Sequence, residues 1–424
     1  MKCLRKCASL VHSSISQYLA LMGDWGLASL VVGTFLNTLA GGEVNLLLTI
    51  HVYRSTGSSP IAVSVLFVVT YLPNLVIAPL CAGLADRYNR RYLLASCGVS
   101  QAVLCALFLT HPSLLCMLVL AFLITSVRAV IKPARYALAA QLTQGSQRSS
   151  LNALMMMSTT LAGILSGAVT ALMTGLLREL AFVVAVAMSL LAAGFDVVRA
   201  RQAKIPVSVR KLSSTVSPLS ALLEQSALLE SIRLLEHTPL LRSLTVTSTL
   251  LWAGLGMQEP VLVVFVKTVL AGSDASYAYV TSVASLGALV GAVIAGPLAR
   301  TRTAAVHSYA WSITLAGLIF GVFAGSQEIT AAGALLFAGN AAYGVANVID
   351  EFLEQELAPQ HVRARIISLI GAIATGGYLI GGALVGCTVE LLGARWSALI
   401  SAGLITGAGF IASCTMPARI KVLA

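Results

Sequence analysis

The sequence predicts an all-α integral membrane protein with twelve transmembrane helices in two pseudo-symmetric six-helix bundles. Three observations predict this fold class: the composition, a series of long apolar runs, and an internal repeat. Of the 424 residues, 58% are hydrophobic and only 10% are charged, whereas a soluble domain carries about 25% charged residues. The apolar runs are roughly 20 residues long, which is enough to span a bilayer as a helix. A soluble, disordered or coiled-coil protein is therefore excluded.

Short polar breaks separate the apolar runs and give the expected helix positions. The first six helices are predicted at about residues 27–53, 61–83, 92–110, 114–133, 151–177 and 180–199. The second six are predicted at about residues 243–266, 277–298, 305–323, 329–351, 366–388 and 394–414.

The longest polar interval divides the chain. Residues 200–242 are predicted to be a cytoplasmic linker between an N-terminal bundle, 27–199, and a C-terminal bundle, 243–415. Residues 1–26 are expected to form a cytoplasmic or interfacial segment, and residues 416–424 a cytoplasmic tail.

The two halves resemble each other at an offset of about 215 residues. At this offset Glu43 falls near Glu259, and Arg148 falls on Arg363. Two parallel six-helix repeats are an architecture of secondary transporters, in which the substrate site lies between the halves near the bilayer midplane.

Lysine and arginine are distributed unevenly between the two sides of the membrane. Of the 27 such residues, only Arg54, Arg178, Lys267 and Arg395 fall on one side, and Arg128 lies within a predicted helix. Positively charged loops stay in the cytoplasm, so both termini are predicted to be cytoplasmic. The net charge of +11 therefore reflects membrane topology, and no nucleic-acid partner is expected.

Motifs for other kinds of chemistry are missing from the sequence. The eight cysteines form no CxxC pair and have no neighbouring histidine, so neither a disulfide framework nor a metal site is predicted. No lysine follows a glycine, which excludes a phosphate-binding Gly-Lys-Ser/Thr loop. His-Glu-x-x-His and Gly-x-Ser-x-Gly are also missing. We expect neither an enzyme nor a cofactor.

The loop between the second and third helices carries a family resemblance. It reads Gly83-Leu84-Ala85-Asp86-Arg87-Tyr88-Asn89-Arg90-Arg91 and resembles the signature loop of the major facilitator superfamily, Gly-x-x-x-Asp-Arg-x-Gly-Arg-Arg. Two positions depart from that pattern, with Ala82 and Asn89 where the family has glycine. The resemblance implies a secondary transporter of the major facilitator fold.

Two further segments resemble different branches of the superfamily. Residues 353–369 are similar to the loop between helices ten and eleven of macrolide-efflux and siderophore-export facilitators. Pro133-Ala134-Arg135-Tyr136, continuing to Ser158-Thr159, resembles bacterial lysophospholipid transporters instead. Both branches remain candidates.

The signature loop is expected to belong to a cytoplasmic gate. Asp86 is a lone carboxylate among arginines, and the N-terminus of helix eleven offers it a positive dipole end and unpaired N–H groups on the same side. Asp196 is available to Arg90 or Arg91. A solvated basic turn would also explain the arginines, although not Asp86. The predicted gate residues are Asp86, Arg87, Arg90, Arg91, Asp196, Arg363 and Arg365.

Acidic residues inside predicted helices are candidates for the transport pathway, because a charge in the bilayer is costly. Glu43 follows Gly41-Gly42, and Glu259 precedes Pro260. The resemblance places their two helices around a central cavity, where the acids would bind a cationic group or carry protons. Alternatively, each is hydrated, or hydrogen bonded to backbone, near the far membrane face.

Three other residues are pathway candidates. Arg128 is a basic residue within helix four, where it would act in proton coupling or receive an anionic headgroup; it would otherwise snorkel to the interface. Asn340 and Asn347 belong to a polar and small stripe on helix ten that would line the path or pack between helices.

Together these features predict a secondary transporter that works by alternating access and exports an amphiphilic small molecule, a drug-like compound or a siderophore, by antiport with protons. The alternatives are a lysophospholipid transporter and a non-transporting receptor on the same fold. We expect a monomer in a bacterial inner membrane, with the bilayer, protons and the substrate as its partners.

Overall fold

The computed structural model describes residues 21–81, 90–110, 113–143, 146–176, 178–202, 232, 234–299, 301–359 and 363–420. Throughout these ranges the chain is helical and contains no strand. Twelve long helices, α1 to α12, lie in the described ranges, so the predicted fold class is confirmed.

The N-terminal half contributes six helices whose positions agree closely with those predicted. They are α1 Trp25–Ser55, α2 Pro60–Cys81, α3 Arg90–Ala106, α4 Leu114–Leu142, α5 Ser146–Leu176 and α6 Arg178–Gln202. A short 3-10 turn, Leu107–Thr110, extends α3.

The C-terminal half contributes the other six. They are α7 Pro239–Val264, α8 Asp274–Leu298, α9 Arg302–Ala324, α10 Ile329–Leu357, α11 Arg363–Leu392 and α12 Ala394–Ile420. A single π-helical turn, Phe265–Val269, follows α7.

In the described part of the chain, eleven helices are long and apolar enough to cross a bilayer. The sixth helix holds a shorter apolar stretch, Leu180–Asp196. Two tight turns contain a glycine with a positive φ, Gly57 between α1 and α2 and Gly393 between α11 and α12. This backbone conformation is energetically less favourable for residues that have a side chain.

Packing divides the chain into two compact units. Unit 1 comprises Met1–Leu47, Val76–Val169 and Leu176–Ser214, and unit 2 comprises Leu48–Leu75, Thr170–Gly175 and Thr215–Ala424. In this division the C-terminal end of α1, most of α2 and a short piece of α5 group with α7 to α12. The predicted linker, 200–242, falls mostly outside the described residues.

Unit 1 has an apolar core built from four helices. Leu30 of α1, Leu94 of α3, Leu138 of α4 and Leu151 of α5 are buried together. Polar contacts also cross this interior, where the Asn37 side-chain amide donates to Gln101 at 3.2 Å and Gln101 donates to Ser189 at 3.2 Å.

In unit 2, glycines allow pairs of helices to approach each other closely. A Cβ added at Gly291 of α8 would lie 1.9 Å from the carbonyl oxygen of Ala341 in α10. A Cβ at Gly256 of α7 would lie 2.0 Å from the carbonyl oxygen of Tyr378 in α11. Helices can approach this closely only where a side chain is missing.

Candidate functional site

Glu259 lies in unit 2 and accepts hydrogen bonds from two tyrosines. The Tyr71 hydroxyl of α2 lies 3.0 Å from each carboxylate oxygen. The Tyr378 hydroxyl of α11 donates to Oε2. These hydrogen bonds fix the position of the carboxyl group.

The close approach of α7 and α11 places Tyr378 beside Glu259. Gly256 lies against the carbonyl of Tyr378, and Gly381 lies against the carbonyl of Ala253. Pro260 follows Glu259 and has no N–H to donate to the carbonyl four residues earlier, which weakens the helix at this point. The acid therefore lies where α7 is tightly packed and where a proline removes one backbone hydrogen bond.

Aromatic rings surround the carboxylate. The Tyr378 ring lies 4.9 Å from the Tyr71 ring and 5.0 Å from the Phe67 ring, measured between centroids. Trp252 packs edge to face with Tyr378 at 5.5 Å and with Tyr343 at 6.5 Å. We call this set, Phe67, Tyr71, Trp252, Tyr343 and Tyr378, the aromatic cluster.

A cavity of about 320 Å³ adjoins Glu259. Its walls come from α7, α8, α10 and α11, and they include Trp252, Tyr343, Tyr378 and the predicted pathway residue Asn340. Among the lining residues that the structure describes, Glu259 is the one with a formal charge. Ligand pockets have volumes of about 300–1,000 Å³ and are mostly apolar with few polar groups, so this cavity has the size and character of a small-molecule site.

Glu43 is placed very differently, in the interior of unit 1. Its side chain is 0% exposed, and within the described part of the chain neither of its carboxyl oxygens has a hydrogen-bond partner. Burying a charge without a partner costs several kcal/mol. Glu43 therefore lies where a negative charge would have no hydrogen-bond donor among the described residues.

Arg128 lies against α1, close in sequence to Glu43. Its guanidinium occupies the space beside Gly41, where an added Cβ would be 2.2 Å from Cζ. The residue is half-buried. Gly41 thus leaves room for the Arg128 side chain inside unit 1.

Asp196 has a partner that the sequence did not indicate. The Arg135 guanidinium lies 3.3 Å from its carboxylate, and both side chains are buried.

Of the other predicted gate residues, Arg90 and Arg363 are half-buried, and Arg365 is exposed. The Arg363 Nε donates to the carbonyl of Ala358 at 3.3 Å. Asp86, Arg87 and the side chain of Arg91 lie outside the described residues, so the cytoplasmic gate stays a prediction.

The residues of the polar and small stripe on α10 have different surroundings. Asn340 lines the cavity, whereas Gly344 packs against the carbonyl of Ala288 in α8. Asn347 accepts a hydrogen bond from Tyr343 at 3.3 Å, which fixes one ring of the aromatic cluster.

A buried carboxylate that sequence reasoning missed lies beside this stripe. Asp350 is 6% exposed, and it accepts a hydrogen bond of 2.8 Å from Ser248 of α7. The Tyr309 hydroxyl of α9 lies 3.1 Å from the same serine oxygen. The available signal was an acidic residue three positions after Asn347, next to the stripe on the same helix.

An ion cluster lies at the connection between the end of α7 and the start of α8. Asp274 is buried at the start of α8 and pairs with both Arg54 of α1 and Lys267 of the π-helical turn. The Lys267–Asp274 distance is 2.6 Å. Two of the four basic residues assigned to the non-cytoplasmic side thus bind the same carboxylate.

Metal binding finds no support in the described part of the chain. No group of three His, Cys, Asp or Glu side chains there is arranged to hold an ion.

Solved structures similar to this one are transporters. The nucleoside transporter NupG has a TM-score of 0.73 at 17% identity, over 93% of this chain and 99% of that chain. A bacterial homologue of the human lysosomal transporter Spinster, inward-facing and occupied, has a TM-score of 0.72 at 13% identity, over 93% and 97%. The peptide transporter POT in complex with sulfate has a TM-score of 0.71 at 16% identity, over 94% and 95%. At these identities the likeness establishes the fold.

Comparison at the level of sequence establishes the family. A search of curated protein sequences found no significant match. The family model described as Major Facilitator Superfamily matches residues 30–382. The matched residues include most of the chain and contain both Glu43 and Glu259, and the fold is that of multi-pass transporters. The chain therefore belongs to the Major Facilitator Superfamily and is a secondary transporter that works by alternating access.

Proposed function

We propose that this transporter exports an amphiphilic small molecule in exchange for protons, with Glu43 as the residue that carries the proton. A drug-like compound is the substrate we favour, and a siderophore or a lysophospholipid is the alternative. The proposal places a monomer in a bacterial inner membrane with both termini in the cytoplasm.

The observation that carries the proposal is the burial of Glu43 without a hydrogen-bond partner in the described part of the chain. In this proposal the group is protonated while it is enclosed, because a carboxylate there would have no hydrogen-bond donor among the described residues. Alternating access exposes the interior to water on one side and then on the other. A carboxyl that is neutral when enclosed and ionises when hydrated takes up a proton on one side and releases it on the other.

The surroundings of Glu43 suit this cycle. Gly42 lies against the Ser166 side chain of α5, since a Cβ there would be 2.7 Å from the hydroxyl oxygen. The Arg128 guanidinium lies beside Gly41. A small rearrangement of α1 against α4 or α5 would therefore bring a positive charge or a hydroxyl group closer to Glu43 and favour ionisation.

The test uses purified protein in liposomes with an imposed pH gradient. Uptake of a lipophilic cation, a hydroxamate siderophore and a lysophospholipid is measured together with proton movement. We expect Glu43→Gln, which keeps the size but cannot ionise, to lose uphill flux driven by the gradient and to retain exchange of substrate for substrate. Glu390→Gln replaces an exposed glutamate near the end of α11 and should behave as the parent.

Gradient-driven flux at the parent rate in Glu43→Gln would contradict proton coupling through this residue. Binding of substrate without any flux in the parent protein would favour a receptor.

A further inference from the structure

We infer that the cavity beside Glu259 is a binding site for a monovalent organic cation with an aromatic or apolar body. The inference deepens the proposed function by naming the class of substrate, and it rests on that function for its role in export. The binding site itself depends only on residues of unit 2.

The charge of the cavity is the first argument. Among its described lining residues, the one formal charge is that of Glu259. Two tyrosine hydroxyls hold this carboxyl group in place. It supplies the negative charge that a cationic group in the cavity would meet.

The hydrogen bonds of the wall formed by α8 and α10 are the second argument. The Thr281 hydroxyl donates to the Tyr277 carbonyl at 2.8 Å, and the Ser285 hydroxyl donates to the Thr281 carbonyl at 3.0 Å. The Asn340 amide nitrogen donates to the Leu336 carbonyl at 2.9 Å. The two hydroxyl hydrogens are thereby used within α8, and the oxygens of all three side chains can accept a hydrogen bond from a ligand. These acceptors suit a cation or another hydrogen-bond donor.

The rings are the third argument. Trp252, Tyr343 and Tyr378 all line the cavity, and their packing holds them at fixed angles, with Trp252 at 89° to Tyr343 and 75° to Tyr378. The negative faces of aromatic rings attract a cation within about 6 Å, and tryptophan does so most strongly. A carboxylate beside three rings is thus a site for a positive charge on a hydrophobic body.

The two repeat-related glutamates are then assigned different tasks. Glu259 is held by donors and faces a cavity, whereas Glu43 is enclosed and has no hydrogen-bond partner among the described residues. One acid binds the cation and the other carries the proton. An exporter built in this way exchanges one positive charge for another.

The test measures binding to the full-length protein in nanodiscs, without a pH gradient. The probes share one ring system: 10-methylacridinium is a cation, acridine is uncharged at neutral pH, and acridine-9-carboxylate is an anion. We expect 10-methylacridinium to bind at least tenfold more tightly than acridine, and acridine-9-carboxylate to bind more weakly than either. Equal binding of the cation and the neutral compound, or preference for the anion, would overturn the inference.

Two variants localise the site. Glu259→Gln should remove the preference for the cation and leave acridine binding within about twofold, which also shows that the variant is folded. Trp252→Leu should weaken 10-methylacridinium binding by at least fivefold. Its matched control, Trp311→Leu, changes a tryptophan that is 70% exposed and should bind as the parent. An unchanged cation preference in Glu259→Gln would place the cation elsewhere and overturn the assignment.

Measurements of binding and of flux distinguish the cation site at Glu259 from the proposed proton-coupled export. Saturable cation binding that depends on Glu259, without gradient-driven flux, would support the site and contradict the proposed proton-coupled export. Proton-coupled export of an anionic or neutral substrate, without cation binding, would support the export and overturn the site.

Discussion

At the scale of single residues, Arg135 and Asp196 form the clearest structural ion pair of unit 1. Their side chains are 4% and 5% exposed, so the two buried charges compensate each other. Removing one partner of a buried pair leaves an uncompensated charge and costs about 3–5 kcal/mol, whereas replacing both with apolar residues is far less harmful. We expect Asp196→Leu to lower the unfolding temperature strongly and the double variant Arg135→Met/Asp196→Leu to recover much of the loss. Thermal unfolding in detergent, followed by tryptophan fluorescence, measures both.

If the double variant is no more stable than Asp196→Leu, the pair is not the source of the effect. Transport by the stable double variant adds a second test, since a role confined to structure predicts activity near that of the parent.

Only part of the candidate site could be predicted from the sequence. Glu43 and Glu259 could be predicted because acidic residues inside apolar runs are rare and costly. The partners of Glu259 could not, because Tyr71 and Tyr378 are 188 and 119 positions away. In addition, an aromatic residue in a membrane helix looks the same whether it faces lipid, core or cavity. Asp350 was missed because it stands next to other acidic residues at a helix end.

At the scale of helices, the packing of α7 against α11 controls the geometry of the cavity. A Cβ at Gly256 would lie 2.0 Å from the backbone oxygen of Tyr378, a clash that no side-chain rotation can relieve. We expect Gly256→Ala to force α7 and α11 apart, to destabilise the protein by about 1–3 kcal/mol as overpacking does, and to weaken 10-methylacridinium binding. The measurements are unfolding temperature and probe affinity.

The matched control for this prediction is Gly376→Ala on α11. An added Cβ at Gly376 would have no neighbour within 4 Å, and alanine favours the helix, so stability should be unchanged or slightly higher. Equal behaviour of the two variants would contradict the steric explanation.

Helix positions were predictable to within a few residues, because apolar runs and polar breaks report them directly. The main difference is α4, which was expected to end at Pro133 and continues to Leu142. Proline commonly ends a helix, but here Ala134, Leu138 and Ala139 of the extension are buried in the core of unit 1. Their burial stabilises helix beyond the proline, and that packing depends on other helices that local sequence does not specify.

At the scale of the whole molecule, the repeat and the charge distribution predicted a transporter with a defined orientation. What these patterns could not supply is the contact-based division of the chain. Helix α1 contributes Trp25–Leu47 to unit 1 and its last residues to unit 2. The part of α1 in unit 1 contains Glu43, and the part in unit 2 contains Arg54.

The Arg54–Asp274 pair is the contact of α1 that should break when the predicted external side opens. Asp274 is 6% exposed and is the first residue of α8. The positive end of the helix dipole further stabilises its negative charge there. Arg54 reaches it from the end of a helix in the other sequence repeat. We expect Asp274→Asn to weaken this link and shift the protein toward the outward-open state. Lys267→Gln should have a smaller effect, because Lys267 lies in the same helix connection as Asp274 and the Arg54 contact is retained.

Labelling from outside measures this shift. A single cysteine replaces Asn340, which lines the cavity, in a background without other cysteines, and intact cells are treated with a membrane-impermeant maleimide. Asp274→Asn should increase the labelling rate severalfold over the parent, and Glu328→Gln, which changes an exposed glutamate beside α10, should not. Because opening on one side requires closure on the other, the same Asp274→Asn variant should label more slowly in inside-out vesicles. Faster labelling from both sides would instead indicate that the variant is loosened throughout, and an unchanged rate on both sides would mean that the ion cluster does not hold the external side closed.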